Sequence, residues 1–486
     1  MMKKRMSILM LPWLAHGHIS PFLELSERLS ERDITIYFCS TAVNLDTIRD
    51  RLNKHCSSSR ILPVELHLPA TSPELPTHLH TTKHLPPRLM STLKEAFDLS
   101  SQAFSDILFL LRPDLVIYDF LQPWAPAVAH SHGIHAVVFL CMGAAMCAFS
   151  FTSLMNNLTP IGAEFPYPEI YLHSHEVSGF AQMLEKTTNG IKEKDRFWWC
   201  HERSDGVVLI KSFREIEAKY MDYLTSMAGK KLVPVGSLVE EEESENGKKD
   251  DDPRRCEIID WLDSKREKST VFVSFGSEYF LSEEEISEIA DGLEQSDVNF
   301  LWVIRLLLRE GREEPPLEEA LPKGFLERVG ERGFVASGWA PQTEILRHRS
   351  TGGFMSHCGW SSVMEAMNFG VPIIAMPMHL DQPINARLVV EGLGVGVEVK
   401  REGVEGRIRG EEVARAVRDA VVEESGERVR RRVKTLRDVM VMRRERGQED
   451  EEIDEAVDHL LGVCGKMNSA SGVGDEEDAR QLLVPN

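Results

Sequence analysis

Residues 7–39 read SILMLPWLAHGHISPFLELSERLSERDITIYFC. The run 7–11 is apolar and β-rich, residues 21–32 carry helical periodicity, and 34–39 is again β-rich, so the segment reads strand, helix, strand. The same alternation continues with strands at 115–118 and 136–140. Strands that alternate with helices predict a parallel sheet covered on both faces. At 239–253 the pattern stops in VEEEESENGKKDDDP, a charged stretch with no hydrophobic periodicity that cannot join a core and reads as a surface linker. It resumes at 270–274, 300–304, 334–337, 353–356 and 373–377. The fold class is therefore α/β, with two Rossmann-like domains at 1–238 and 254–464 joined by the linker 239–253 and followed by a tail, 465–486, whose Gly, Ser and acidic residues predict disorder. Residues 428–446 are basic, but Val429, Val433, Leu436, Val439 and Met440 recur through them at helical spacing, which predicts a solvated helix face rather than a nucleic-acid site.

At roughly 150 residues per domain, 486 residues fit two or three domains. The 77 acidic residues outnumber 56 basic ones for a net charge of -21, which excludes nonspecific binding to nucleic acid or anionic membrane. An anionic ligand must be held by a local site. Eight cysteines without a CxxC pair leave out the usual zinc and thioredoxin-like spacings and point to the cytosol. Lys3, Lys4 and Arg5 ahead of 7–15 imitate a signal peptide, but Pro12 and His16-Gly17-His18 interrupt the run. The longest apolar run, 136–149, is shorter than the ~20 residues a bilayer requires, so no stable membrane insertion is expected.

Three motifs invite misreading. The glycines 392, 394 and 396 mimic a dinucleotide fingerprint, yet they follow a helix and lead into a strand, the reverse of the required order. No phosphate-binding GxxxxGK[ST] loop occurs. His67, His78, His80 and His84 lie in a Pro-rich stretch without an acid at ligand spacing, which favours a polar surface loop over a metal site.

The informative segment is 339–382, WAPQTEILRHRSTGGFMSHCGWSSVMEAMNFGVPIIAMPMHLDQ. A strand ends in His357-Cys358-Gly359-Trp360, and Ser361 and Ser362 open a helix that contains Glu365. Small residues at a helix N-terminus expose backbone N–H groups and the positive end of the dipole, which suits a phosphate. His357 and Ser362 add donors, Glu365 offers a carboxylate to a ribose, and Trp339 offers a stacking face. The rival reading is that Ser362 and Glu365 form a capping box.

In order and spacing this segment resembles the signature box of the plant UDP-glycosyltransferases. The resemblance runs from Met6 to about Val463, and MLPWLAHGHISPFLEL, VELHLPATSPELPTHLHTTKHLPP, VIYDFLQPWAP and SFGSE look most like the branch-forming subgroup, which glycosylates a sugar already attached to a small molecule. It implies a GT-B architecture of two facing Rossmann-like domains, with UDP-sugar in the second, acceptor mainly in the first and reaction in the interdomain cleft. It further implies that Trp339 stacks on uracil, Ala340 meets its edge and Gln342 reaches the uridine. His357, Ser362 and the Gly276-Ser277 turn would hold the pyrophosphate, Glu365 the ribose, and Trp360, Asp381 and Gln382 the donor sugar. Gln382 accompanies glucose in the family, and neither 12–21 nor 376–382 contains the Arg or Lys a glucuronate carboxylate would need. Two positions depart from the pattern: Ser361 stands where Asn is usual, and Cys141 stands where a donor-facing Thr is common.

The resemblance also assigns an acid–base dyad to His18 and Asp119. His18 follows the first strand in a loop and Asp119 follows the strand 115–118, so both emerge at the carboxyl edge of the sheet. A hydroxyl acceptor needs a base to take its proton, and a carboxylate makes an imidazole more basic. From the residues alone, His16 is a rival and a structural loop histidine is the plain alternative. The implied reaction is a single inverting displacement on UDP-glucose without a cofactor. No DxD-like pair is apparent, so protein donors rather than a metal are expected to neutralise the leaving UDP. Expected partners are the UDP-sugar and a small-molecule glycoside or aglycone. The His and Thr side chains of 67–84 suit a sugar acceptor, or else merely solvate a loop. A UDP-sugar epimerase or hydrolase and a catalytically silent UDP-sugar sensor are the rival functions. No oligomeric state is assigned.

Overall fold

The computed structural model describes residues 5–54, 60–83, 85–156, 161–162, 164–239, 253–305 and 316–470. Most of the linker expected at 239–253 lies outside them, as do His84 and residues 471–486 of the expected tail. The first strands form where the apolar runs fall: β1 (Ser7–Leu11), β2 (Thr35–Ser40), β3 (Ile61–Glu65), β4 (Leu115–Asp119) and β5 (His135–Leu140). A short hairpin, β6 (Thr187–Thr188) and β7 (Ile191–Lys192), precedes β8 (Val207–Ile210) and β9 (Lys231–Pro234). Without the hairpin these strands make one parallel sheet ordered β3-β2-β1-β4-β5-β8-β9. β4 and β5 are buried almost throughout, as expected for strands covered on both faces.

The second sheet contains β10 (Thr270–Ser274), β11 (Asn299–Ile304), β12 (Gly333–Ser337), β13 (Thr351–Ser356), β14 (Ile373–Ala375) and β15 (Gly396–Glu398). Its order is β12-β11-β10-β13-β14-β15 and every pairing is parallel. Both sheets therefore have the doubly wound Rossmann-like form. Each reverses its strand order once, between β1 and β4 in the first and between β10 and β13 in the second. Ligands of such sheets bind outside the carboxyl ends of the strands at that reversal.

The chain divides into two compact units, and two segments fall differently from the expected boundaries. Unit 1 holds Met1–Ala144, Glu185–Leu238 and Gly447–Asn486, whereas unit 2 holds Ala145–Leu184 and Val239–Arg446. The last helix, Gln448–Ala470, joins the first unit because Ile453, Ala456, Leu460 and Val463 fill its core and Arg32 pairs with Asp450 and Asp454 at 2.8 and 2.9 Å. It also runs beyond the expected domain end at 464. Ala145–Leu184 joins the second unit through an ion cluster around Arg387. The basic stretch forms the helix Glu427–Glu445, with Val433 and Met440 buried as its spacing predicts.

Candidate active site

In unit 1, β1 and β4 lie side by side with Leu11 opposite Tyr118, so the residues that leave their carboxyl ends share one edge. His18 was expected in a loop; it occupies the first turn of the helix His16–Ser30, which starts five residues ahead of Pro21. A proline fits near a helix start but need not mark its first residue. Asp119 ends β4 and is fully buried. Its Oδ2 accepts a hydrogen bond from His18 Nδ1 at 2.6 Å and one from the Trp13 N–H at 3.3 Å, and its Oδ1 accepts from the Leu121 N–H at 3.3 Å. An ionised carboxylate only accepts, so Nδ1 carries the proton and Nε2 carries the basic lone pair. The rival His16 is exposed, and the bond to Asp119 described here is made by His18.

Cys141 follows β5 and is buried beside the dyad, with one ligand atom from each of His18, Asp119 and Cys141 lying within 4.8 Å of the others. Burial and the neighbouring Asp119 charge push its thiol well above the ordinary range, so it stays protonated. Among the described residues this is the one such group of three potential metal ligands, and His67, His78 and His80 are not part of it. His67 instead faces Glu65 at 3.2 Å.

In unit 2 the reversal lies between β10 and β13, paired with Ser274 opposite Ser356. Two residues beyond Ser274 stands Gly276 and one beyond Ser356 stands His357, so the two meet. Gly276 has φ +75°, and a Cβ there would lie 2.7 Å from His357 Nε2; one at Gly359 would lie 2.5 Å from the same atom. The two missing side chains leave Nε2 uncovered for a ligand. Burial, with His379 adding to it, lowers the His357 pKa to about 4, so the ring is neutral at pH 7 and offers an uncharged donor. Ser277 is half-buried beside Gly276.

The helix Trp360–Phe369 follows at once, with Gly359 as an N-cap that makes no side-chain hydrogen bond. Trp360 is buried and Ser361 is half-buried. Ser362 lies within the first turn rather than at the cap, so the capping-box reading fails. Instead Gln342 Nε2 donates to Ser362 Oγ at 3.0 Å and to Glu365 Oε2 at 2.7 Å, tying three expected nucleotide contacts into one network. Gln342 opens the helix Gln342–Arg347 just after Ala340, and Trp339 is 58% exposed, which leaves the indole available for stacking.

Asp381 caps the six-residue helix Gln382–Arg387. Gln382 is buried, and its Oε1 accepts the Met378 and His379 N–H groups at 3.0 Å each, which fixes the amide so that Nε2 is the donor presented elsewhere. Sequence reasoning missed Asn385, whose Nδ2 donates to Asp381 Oδ2 at 2.8 Å and to the Cys358 carbonyl at 3.0 Å. Its i+4 spacing from Asp381 was the available signal. Also missed was the backbone: Cys358 and Leu380, the neighbours of His357 and Asp381, have φ of +65° and +59°, a region non-glycine residues seldom adopt.

Comparison with known proteins accounts for both halves. Residues 4–240 match the family described as glycosyltransferase, N-terminal domain, and residues 241–427 match UDP-glucoronosyl and UDP-glucosyl transferase. A β-D-glucosyl crocetin β-1,6-glucosyltransferase from Gardenia jasminoides is 48% identical over 95% of this chain and 100% of its own. A flavanone 7-O-glucoside 2''-O-β-L-rhamnosyltransferase from Citrus maxima is 46% identical over 89% of this chain and 93% of its own. A solved Polygonum tinctorium UDP-glucosyltransferase capable of glucosylating indoxyl superposes with a TM-score of 0.74 at 26% identity, covering 94% of this chain and 99% of that one. The chain belongs to the UDP-glycosyltransferases: it is an enzyme that moves a sugar from a UDP-sugar to a small-molecule acceptor. Among the described residues no helix is long and apolar enough to cross a membrane.

Proposed function

We propose that this enzyme transfers glucose from UDP-glucose, with inversion, to a sugar hydroxyl of a small-molecule glycoside. The observation that carries the chemistry is the 2.6 Å bond from His18 Nδ1 to the fully buried Asp119. His18 Nε2 takes the acceptor proton while the acceptor oxygen forms its bond to the anomeric carbon, and the bond from that carbon to the UDP oxygen breaks on the opposite face. Asp119 holds the tautomer and stabilises the imidazolium that forms. The departing diphosphate charge meets the N-terminus of the helix Trp360–Phe369, the neutral His357 and the Gly276-Ser277 turn. Glu365 and Gln342 hold the uridine and ribose, and Asp381, Gln382 and Trp360 hold the sugar.

Glucose is favoured by the Gln382 amide, fixed by two backbone bonds, and by the name of the Gardenia relative; the Citrus relative is a rhamnosyltransferase, so the donor is the point most open to test. Both relatives' names describe acceptors that already carry glucose, which supports branch formation. The expected result with UDP-glucose is a higher kcat/KM for a flavonoid or terpenoid glucoside than for its own aglycone, with a disaccharide product by mass spectrometry. Clear preference for the bare aglycone would overturn branch formation and leave the transferase intact.

A further inference from the structure

The helix Gln382–Arg387 begins with the residues proposed to hold the donor sugar and ends in Arg387, a fully buried cation. Its guanidinium is clasped from two directions. One Nη donates to Glu398 on β15, and the other donates to His173 Nε2, so that imidazole nitrogen is unprotonated in this contact. Tyr171 lies over the guanidinium with its ring centroid 5.4 Å away. Glu176 completes the cluster: Oε2 accepts the His173 N–H at 2.7 Å at the start of the helix Ser174–Glu185, and Oε1 lies 3.9 Å from Arg387.

Three of these groups, Tyr171, His173 and Glu176, come from the first half of the chain yet belong to the unit that holds the donor residues. The front of the same donor segment is held as well. Arg401 donates to the Pro377 carbonyl at 2.7 Å and to the Gly406 carbonyl at 3.2 Å. Gly406 is closed over by His175: a Cβ there would lie 2.4 Å from the imidazole. Residues 377–387 are thus gripped at both ends by an arginine, and residues 171–176 pack on both grips.

We propose that the strap 171–176, acting through Arg387, Glu398 and Arg401, positions Asp381 and Gln382 for the donor sugar, so that it controls how the sugar, and not the UDP, is held. Most nucleotide contacts lie on other elements, the turn after β10 and the helices Gln342–Arg347 and Trp360–Phe369; His357 lies in the turn after β13, where the Cys358 carbonyl accepts from Asn385 of this helix at 3.0 Å, so UDP binding should respond far less than sugar binding. A buried cation set by directional partners defines one helix placement, and removal of a partner leaves a buried charge that the helix must move to relieve. The inference rests on the reading of Asp381 and Gln382 as sugar contacts.

Calorimetry with UDP and with UDP-glucose, without acceptor and in a His18→Ala background that slows turnover, tests both levels. Glu176→Gln and His173→Ala, which touch none of the proposed donor contacts, should weaken UDP-glucose by about five- to tenfold and change UDP by less than twofold. Arg387→Met should do the same more strongly and Arg387→Lys should recover part of the loss. A merely structural role would lower the melting temperature or the binding-competent fraction while leaving the ratio of the two affinities at its wild-type value, and that result overturns the strap. Gln382→Ala is the separate control. If it leaves the ratio unchanged, the sugar-contact reading fails; if it shifts the ratio while the strap variants do not, the strap alone fails.

Discussion

Replacement of Gly276 by alanine adds one carbon at the centre of the proposed phosphate site. The backbone there has φ +75°, where a side chain costs about 1 to 2 kcal/mol. The larger effect is local. The new Cβ would lie 2.7 Å from His357 Nε2 and 2.8 Å from Cε1, roughly 1 Å inside ordinary contact. Either the imidazole swings away or the methyl covers the nitrogen, and in both cases the donor is lost. A hydrogen bond to a charged group contributes about 1.5 to 3 kcal/mol, so UDP should bind about 10- to 150-fold more weakly. Gly229→Ala is the matched control: its φ is +67° at a helix C-terminus and a Cβ there meets nothing within 4 Å. Gly229→Ala should lose stability by the backbone cost alone and Gly276→Ala by at least as much in thermal melting, while calorimetry with UDP should detect a loss only for Gly276→Ala. Wild-type affinity in Gly276→Ala, within twofold, would refute the assignment of His357 to the phosphate.

Three further outcomes follow from the same geometry. His18→Ala should lower turnover by about 10² to 10⁴ with UDP affinity nearly unchanged, and Asp119→Asn should lose less; an active His18→Ala beside an inactive His16→Ala would move the base. Glu365→Ala and Gln342→Ala should each weaken UDP in calorimetry, and the double variant should lose less than the two losses combined because one 2.7 Å bond joins the pair; strict additivity would break the network. His201 and His357 are lowered to about 4 by burial first, so the unfolded chain binds the extra protons and stability falls as pH drops from 6.5 towards 4, by up to about 1.4 kcal/mol per pH unit for each histidine. Urea unfolding at pH 7.5 and pH 5 should show that loss, and His201→Leu should reduce it.

The alternation of apolar runs made both parallel sheets legible, because a strand buried on both faces must be apolar along its length. The signature segment made the donor residues legible for a different reason: phosphate, ribose and base each require a distinct chemical group, and those groups stand close together in the chain. The helix containing His18 was misjudged at its start, since a proline normally marks a first turn and Pro21 is instead the sixth residue. The side-chain network joining Gln342 to Glu365 was invisible, being set by how two helices approach. The placements of 171–176 and of the helix Gln448–Ala470 were also hidden, because an ion cluster or an apolar face shows that a partner exists and not which unit supplies it.

The return of the last helix to the first unit has a consequence for synthesis. Ile453, Ala456, Leu460 and Val463 close an apolar core whose other members have all emerged by residue 238. At about 5–20 residues per second, a nascent chain waits roughly 10 to 45 s between finishing the sheet and receiving the side chains that cover it. During that interval Val207, Leu209 and Val233 lack their native cover, and a premature stop anywhere before residue 453 would leave them permanently exposed. Truncated chains should therefore aggregate even when every residue proposed for catalysis and donor binding is present, and supplying residues 447–470 as a separate peptide should restore their solubility.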